Sequence, residues 1–149
     1  MEGFVHTTVE QLDEVQMQVV NAAVEAINNS YSPYSKFAVG AALLLDDGQI
    51  ITGSNQENMA YPSGLCAERV ALFTYGSKKI DHKILKLAVF AKHHNTERLA
   101  IGAPCGACRQ VMLEYELNQQ NPYEVIFFHN NEYIIAPSAN SLLPFHFQL

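Results

Sequence analysis

Four residues carry the chemistry of this sequence. Cys66 stands two positions before Glu68 in GLCAER, and Cys105 and Cys108 lie in PCGAC. These three cysteines are all the chain has. A thiolate is both a nucleophile and a metal ligand. A carboxylate beside a metal-activated water can take its proton as a base and return it as an acid. Three uses are therefore open. Cys105 and Cys108 could form a redox pair, which leaves Cys66 and Glu68 without a role. The three thiols could belong to a closed structural zinc site, which needs a histidine as fourth ligand. His93 and His94 are nearest in sequence to PCGAC, while His6, His82, His129 and His146 have no ligand-like spacing. Or the thiols could hold zinc with one position open, which gives Glu68 its task.

Elements must bring these residues together. All three cysteines fall at predicted helix starts, over about 65–75 and about 105–117. A helix start has unpaired amides and the positive end of the dipole, so it favours a thiolate. A first helix is predicted over about 8–28, opened by a Thr7–Glu10 capping box and followed by apolar residues at helical spacing. FAVGAALLL (37–45) and QIITGSN (49–55) read as strands around a DDG turn. Further strands are predicted over 84–91, 123–129 and 132–137. The order α-β-β-α-β-α-β-β mixes hairpins with crossover helices, so the fold class is α/β: a mixed five-stranded sheet covered by helices.

Composition narrows the function. The chain of 149 residues suits a single domain, 1–149, with a core of its own. A formal charge of −6 and scattered lysines argue against a nucleic-acid partner, which needs a dense cationic face. No apolar run approaches the roughly 20 residues that span a bilayer, so no membrane partner is expected. An odd cysteine count without an export signal argues against disulfides and for a cytoplasmic protein.

The pattern C-x-E…P-C-x-x-C resembles the signature of the zinc deaminases. SPYSKFAVGAAL (32–43), NQEN (55–58), GLCAERVAL (64–72), PCGACRQVMLEY (104–115) and SLLPFHF (141–147) resemble, in order, the small homotetrameric cytidine deaminases of three-cysteine type. The resemblance implies an α/β/α sandwich. It implies one Zn²⁺ per subunit on Cys66, Cys105 and Cys108, with Glu68 moving protons. It also implies hydrolysis of cytidine and deoxycytidine to uridine and deoxyuridine plus ammonia, as in pyrimidine salvage.

By the same resemblance Asn55 and Glu57 hold the ribose 3′-hydroxyl, Phe37 lies against the base, and Tyr61 and the Ala67 amide complete the pocket. Arg69 donates to the cysteine sulfurs and offsets their charge. Phe147 reaches a neighbouring subunit's site, with Phe145 a competitor for that role, so active sites are shared in a homotetramer. Met59 is larger than the residue usual in its loop. It either narrows the pocket or meets a partner, which keeps open another aminopyrimidine nucleoside, such as a blasticidin-type antibiotic, as substrate. Without the cysteines, Phe37 would read as core, Asn55 and Glu57 as turn residues, and Arg69 as a surface charge.

Overall fold

The computed structural model describes residues 3–149. In chain order the elements are β1 (Val5–Thr7), α1 (Glu14–Ala26), β2 (Phe37–Leu45), β3 (Ile50–Ser54), α2 (Ala67–Ser77), β4 (Ile84–His93), α3 (Gly106–Gln119), β5 (Glu124–His129) and β6 (Glu132–Ala136). Among the described residues the sheet has six strands, in the order β1-β6-β5-β4-β2-β3, not the five expected. The extra strand is β1, which pairs antiparallel with β6 at the edge. All neighbours are antiparallel except β4 and β5, which are parallel and joined through α3.

The first helix also starts later than expected. Asp13 caps it, accepting from Gln16 N at 2.7 Å, while Gln16 Oε1 accepts from Asp13 N at 3.1 Å. Thr8 and Gln11 form a similar reciprocal pair, but around a separate short turn, Val9–Gln11. Two capping signals six residues or fewer apart compete, and the helix forms from the one next to its apolar stripe.

β2 shows how the layers arise. Its alternate residues Ala41, Leu43 and Leu45 pack toward α2 and α3, and Ala38, Ala42 and Leu44 pack toward α1. A strand buried on both faces is apolar throughout, as FAVGAALLL is. Glycines permit the closest approaches. A Cβ on Gly40 would lie 2.1 Å from the Ala23 carbonyl oxygen, and one on Gly53 would lie 2.5 Å from the Ala67 carbonyl oxygen. Thus α1 and α2 sit almost directly on sheet backbone. α2 follows β3 and α3 follows β4, so both helices begin at one end of the sheet. Crevices at strand ends are where open α/β sheets place ligand sites. No described helix is long and apolar enough to cross a membrane.

Candidate active site

The helix starts converge as the sequence predicts. Cys66 is the N-cap of α2, Cys105 is the N-cap of α3, and Cys108 lies in the first turn of α3. The three Sγ atoms lie within 4.8 Å of one another. Tetrahedral zinc with Zn–S bonds of about 2.3 Å separates its sulfurs by about 3.8 Å, so a small closure suffices and the donor set fits zinc. The group contains no histidine. His94 Nε2 is instead 2.8 Å from Ser32 Oγ, and the His93 ring packs edge-on against Phe37 at 5.0 Å between centroids.

The thiols already share charge unevenly. A hydrogen bond from Cys108, followed by one from Arg69, lowers the Cys66 thiol to about 5. The same bond and burial hold the Cys108 thiol protonated. Arg69 Nη2 donates to Cys66 Sγ at 3.7 Å, and Arg69 Nε is buried without a partner among the described residues. Glu68, on the first turn of α2, is only 4% exposed. Burial, reinforced by the charge at Cys66, raises its carboxyl to about 7. A carboxyl poised there exchanges a proton readily in either direction at neutral pH.

A cavity of about 740 Å³ opens beside these groups. Cys66, Cys105, Glu68 and Arg69 line it, together with Phe37, Asn55, Glu57, Tyr61, Val89, Ala91 and Ile101. In the same cavity, Asn55 and Glu57 are held by bonds to the main chain and to serine hydroxyls. Asn55 Oδ1 accepts from Val39 N at 2.8 Å and from Ser30 Oγ at 2.5 Å, and Nδ2 donates to the Phe37 carbonyl at 2.9 Å. Two acceptor positions are thus filled and one amide hydrogen is left over. Glu57 Oε2 accepts from Tyr34 N at 2.9 Å and Ser35 N at 3.3 Å, and Oε1 accepts from Ser35 Oγ. The Ser35 hydroxyl and then the two amides hold the Glu57 carboxyl below the usual range. One acceptor position is left on it. Together the pair offers one donor and one acceptor, which is the complement of an alcohol.

Other expectations divide. Ala67 is buried and its side chain does not line the cavity, but it begins α2, where amides lack intrahelical partners. Tyr61 lines the cavity while 78% exposed. Met59 is outside the cavity and 81% exposed, so it does not narrow the pocket. Phe147 is absent from the cavity of its own chain, and its ring is exposed. Its backbone is tied to α3 by two bonds with Gln110, of 3.0 and 3.2 Å. Sequence reasoning missed Ser30 and Ser35, the hydroxyls that hold Asn55 and Glu57, and Ser32, which bonds Ser30. A serine two residues before Phe37 was the available signal, since such hydroxyls commonly bond nearby main chain.

Comparison with known proteins agrees with this geometry. The family model for the cytidine and deoxycytidylate deaminase zinc-binding region matches residues 13–122. A cytidine deaminase of Halalkalibacterium halodurans is 45% identical over 100 residues, 66% of this chain and 70% of that protein. One from Mycobacterium tuberculosis is 43% identical over 93 residues, 62% of this chain and 65% of that protein. Among solved structures, the cytidine deaminase of Burkholderia pseudomallei superposes with a TM-score of 0.73 at 35% identity, covering 91% of this chain and all of that one (100%). The cytidine deaminase structure from M. tuberculosis gives 0.70 at 34% identity, covering 92% of this chain and 100% of that one.

Proposed function

The chain belongs to the cytidine and deoxycytidylate deaminase family, and we propose that it hydrolyses cytidine and deoxycytidine to uridine and deoxyuridine with release of ammonia. One observation carries the reading. A single cavity joins the three-thiol group and Glu68 to a pair, Asn55 and Glu57, that matches an alcohol.

Cys66, Cys105 and Cys108 would hold zinc. Bound there, zinc supplies a Lewis acid that lowers the pKa of a water in its open position toward about 7. Glu68 takes the water's proton and delivers it to N3 of the cytosine ring, which makes C4 electrophilic. The water's oxygen then adds to C4. Glu68 then takes the proton of the hydroxyl now on C4 and passes it to the exocyclic amine, which leaves as ammonia as the C4 carbonyl forms. Arg69 offsets the negative charge of the thiolates. Phe37 lies against the base and Tyr61 flanks it, with the Ala67 amide as a further donor.

The ribose 3′-hydroxyl accepts from Asn55 and donates to Glu57. A 3′-phosphate has no hydrogen to give at neutral pH and meets a carboxylate, so free nucleosides are favoured over nucleic acid. No side chain is assigned to the 2′-hydroxyl, so both sugars are accepted. The case for an antibiotic substrate rested on Met59, which does not line the cavity. The exposed Phe145 and Phe147 on a tail pinned to α3 support a homotetramer in which the tail completes a neighbour's site.

The test is ultraviolet loss of cytidine and deoxycytidine by zinc-loaded protein, beside Glu68→Gln, with the mass in solution read by light scattering. The wild type turns over both nucleosides. The variant loses roughly 10²–10⁴ in kcat while keeping its zinc. No turnover of either nucleoside refutes the substrate, and an active variant refutes the role of Glu68.

A further inference from the structure

We propose that His94 is a positioning residue for sugar recognition, acting through Ser32 and Ser30 on the Asn55 amide. The proposal rests on the ribose reading above. His94 Nε2 lies 2.8 Å from Ser32 Oγ, Ser32 Oγ lies 2.9 Å from Ser30 Oγ, and Ser30 Oγ lies 2.5 Å from Asn55 Oδ1. The chain runs from an exposed imidazole at the end of β4, through a serine only 2% exposed, to a side chain that lines the cavity.

The direction of every bond is determined. Asn55 Oδ1 accepts from Val39 N and Nδ2 donates to the Phe37 carbonyl, so the amide cannot be flipped. An amide oxygen only accepts, so the Ser30 hydrogen points to Asn55. Ser30 must then accept from Ser32, whose own hydrogen is thereby committed. Ser32 must accept from His94, which leaves one solution: His94 carries a hydrogen on Nε2. Protonation at Nδ1 preserves that donor. Backbone pairing supports the arrangement, because His94 N donates to the Lys36 carbonyl and Lys36 N donates to the Ser32 carbonyl.

The consequence falls on the substrate. With both lone pairs of Oδ1 filled, Asn55 can offer the ribose only a donor. Glu57 supplies the matching acceptor, and a protonated His94 helps Ser35 and the loop amides keep it ionised. Without His94, Ser32 can turn its hydrogen elsewhere and Ser30 can rotate from Oδ1. The amide stays oriented by Val39 and Phe37, but its oxygen has an unfilled acceptor position, so Asn55 no longer offers a donor alone. Discrimination in favour of a 3′-hydroxyl therefore depends on an imidazole outside the cavity.

Two measurements decide this. Nitrogen-15 spectra of zinc-loaded protein, with His94 assigned by comparison with His94→Gln, report its tautomer at pH 8. The Nε2–H form is expected, and the Nδ1–H form overturns the chain of bonds. Next, kcat/KM is measured on cytidine and on 3′-deoxycytidine for wild type, His94→Leu and His94→Gln. The ratio favouring cytidine falls about tenfold in His94→Leu, mainly through KM on cytidine, the size of one well-made hydrogen bond. The glutamine amide replaces the Nε2 donor and restores most of the ratio. An unchanged ratio in His94→Leu overturns the proposal, whatever happens to the absolute rates. A wild type inert toward cytidine would instead refute the substrate, and the tautomer would still decide the hydrogen-bond chain.

Discussion

Gly53→Ala tests whether α2 is seated on the sheet by contact with the β3 backbone. A Cβ there would lie 2.5 Å from both the Ala67 carbonyl oxygen and the Ala71 amide nitrogen, where ordinary contact begins near 3.4 Å. The shortfall is 3.4 − 2.5, or about 0.9 Å. Both obstructing atoms are helix backbone, so no side chain can swing aside and α2 must lift. Overpacking of this kind costs about 1–3 kcal/mol. For a chain of this length that lowers the melting temperature by roughly 3–10 °C. The lifted turn carries Cys66 and Glu68, while Cys105 and Cys108 stay with α3. Displacement of catalytic groups by about 1 Å costs on the order of 10² in rate, so kcat/KM should fall about that far and zinc retention should weaken. Thermal denaturation, zinc content and kcat/KM of the purified variant give the three readings. Gly106→Ala is the matched control, because a Cβ there meets nothing within 4 Å. Wild-type melting and activity in Gly53→Ala would refute this account of what sets the height of α2.

Two further outcomes are expected. Arg69→Ala keeps the fold but loses activity and part of its zinc, because the Cys66 sulfur loses its donor; metal analysis beside turnover checks this, and full activity removes the role. In zinc-free protein the Glu68 carboxyl sits at about 7 when folded, against roughly 4.3 unfolded. Between those values the folded state holds a proton that the unfolded state has released, so this group's contribution weakens as pH rises through the window. The change is on the order of 3 kcal/mol, and Glu68→Gln lacks it. Denaturant titrations from pH 4.5 to 8 on both chelated proteins would refute the assignment if their pH profiles ran parallel.

Much of the site was legible because its residues are set by local structure. Cys66 and Cys105 start helices, so sequence spacing already implies where their sulfurs point. FAVGAALLL was readable as β2, since burial on both faces leaves no polar residue to confuse the period. The start of α1 was not, because two caps lay within a few residues and only packing chooses between them. β1 was not readable either. Its partner is at the far end of the chain, and a three-residue strand has no periodicity to detect. Ser30, Ser32 and His94 escaped for a similar reason. Ser32 and His94 are 62 positions apart, and no spacing rule joins a serine to a histidine across that distance.

The two edges of the sheet differ in how far along the chain their partners lie. β2, β3, α2 and β4 are consecutive, and their pairings close shorter loops, the longest joining Phe37 to His93. β1 meets β6 across most of the sequence, with His6 and Glu132, 126 positions apart, joined at 2.8 Å. Long loops cost more entropy to close, so distant pairs form late. Refolding should therefore build the metal pocket before the outer edge of the sheet. Zinc uptake would then mark an intermediate stage, complete once α3 docks and indifferent to whether the first strand has found its place.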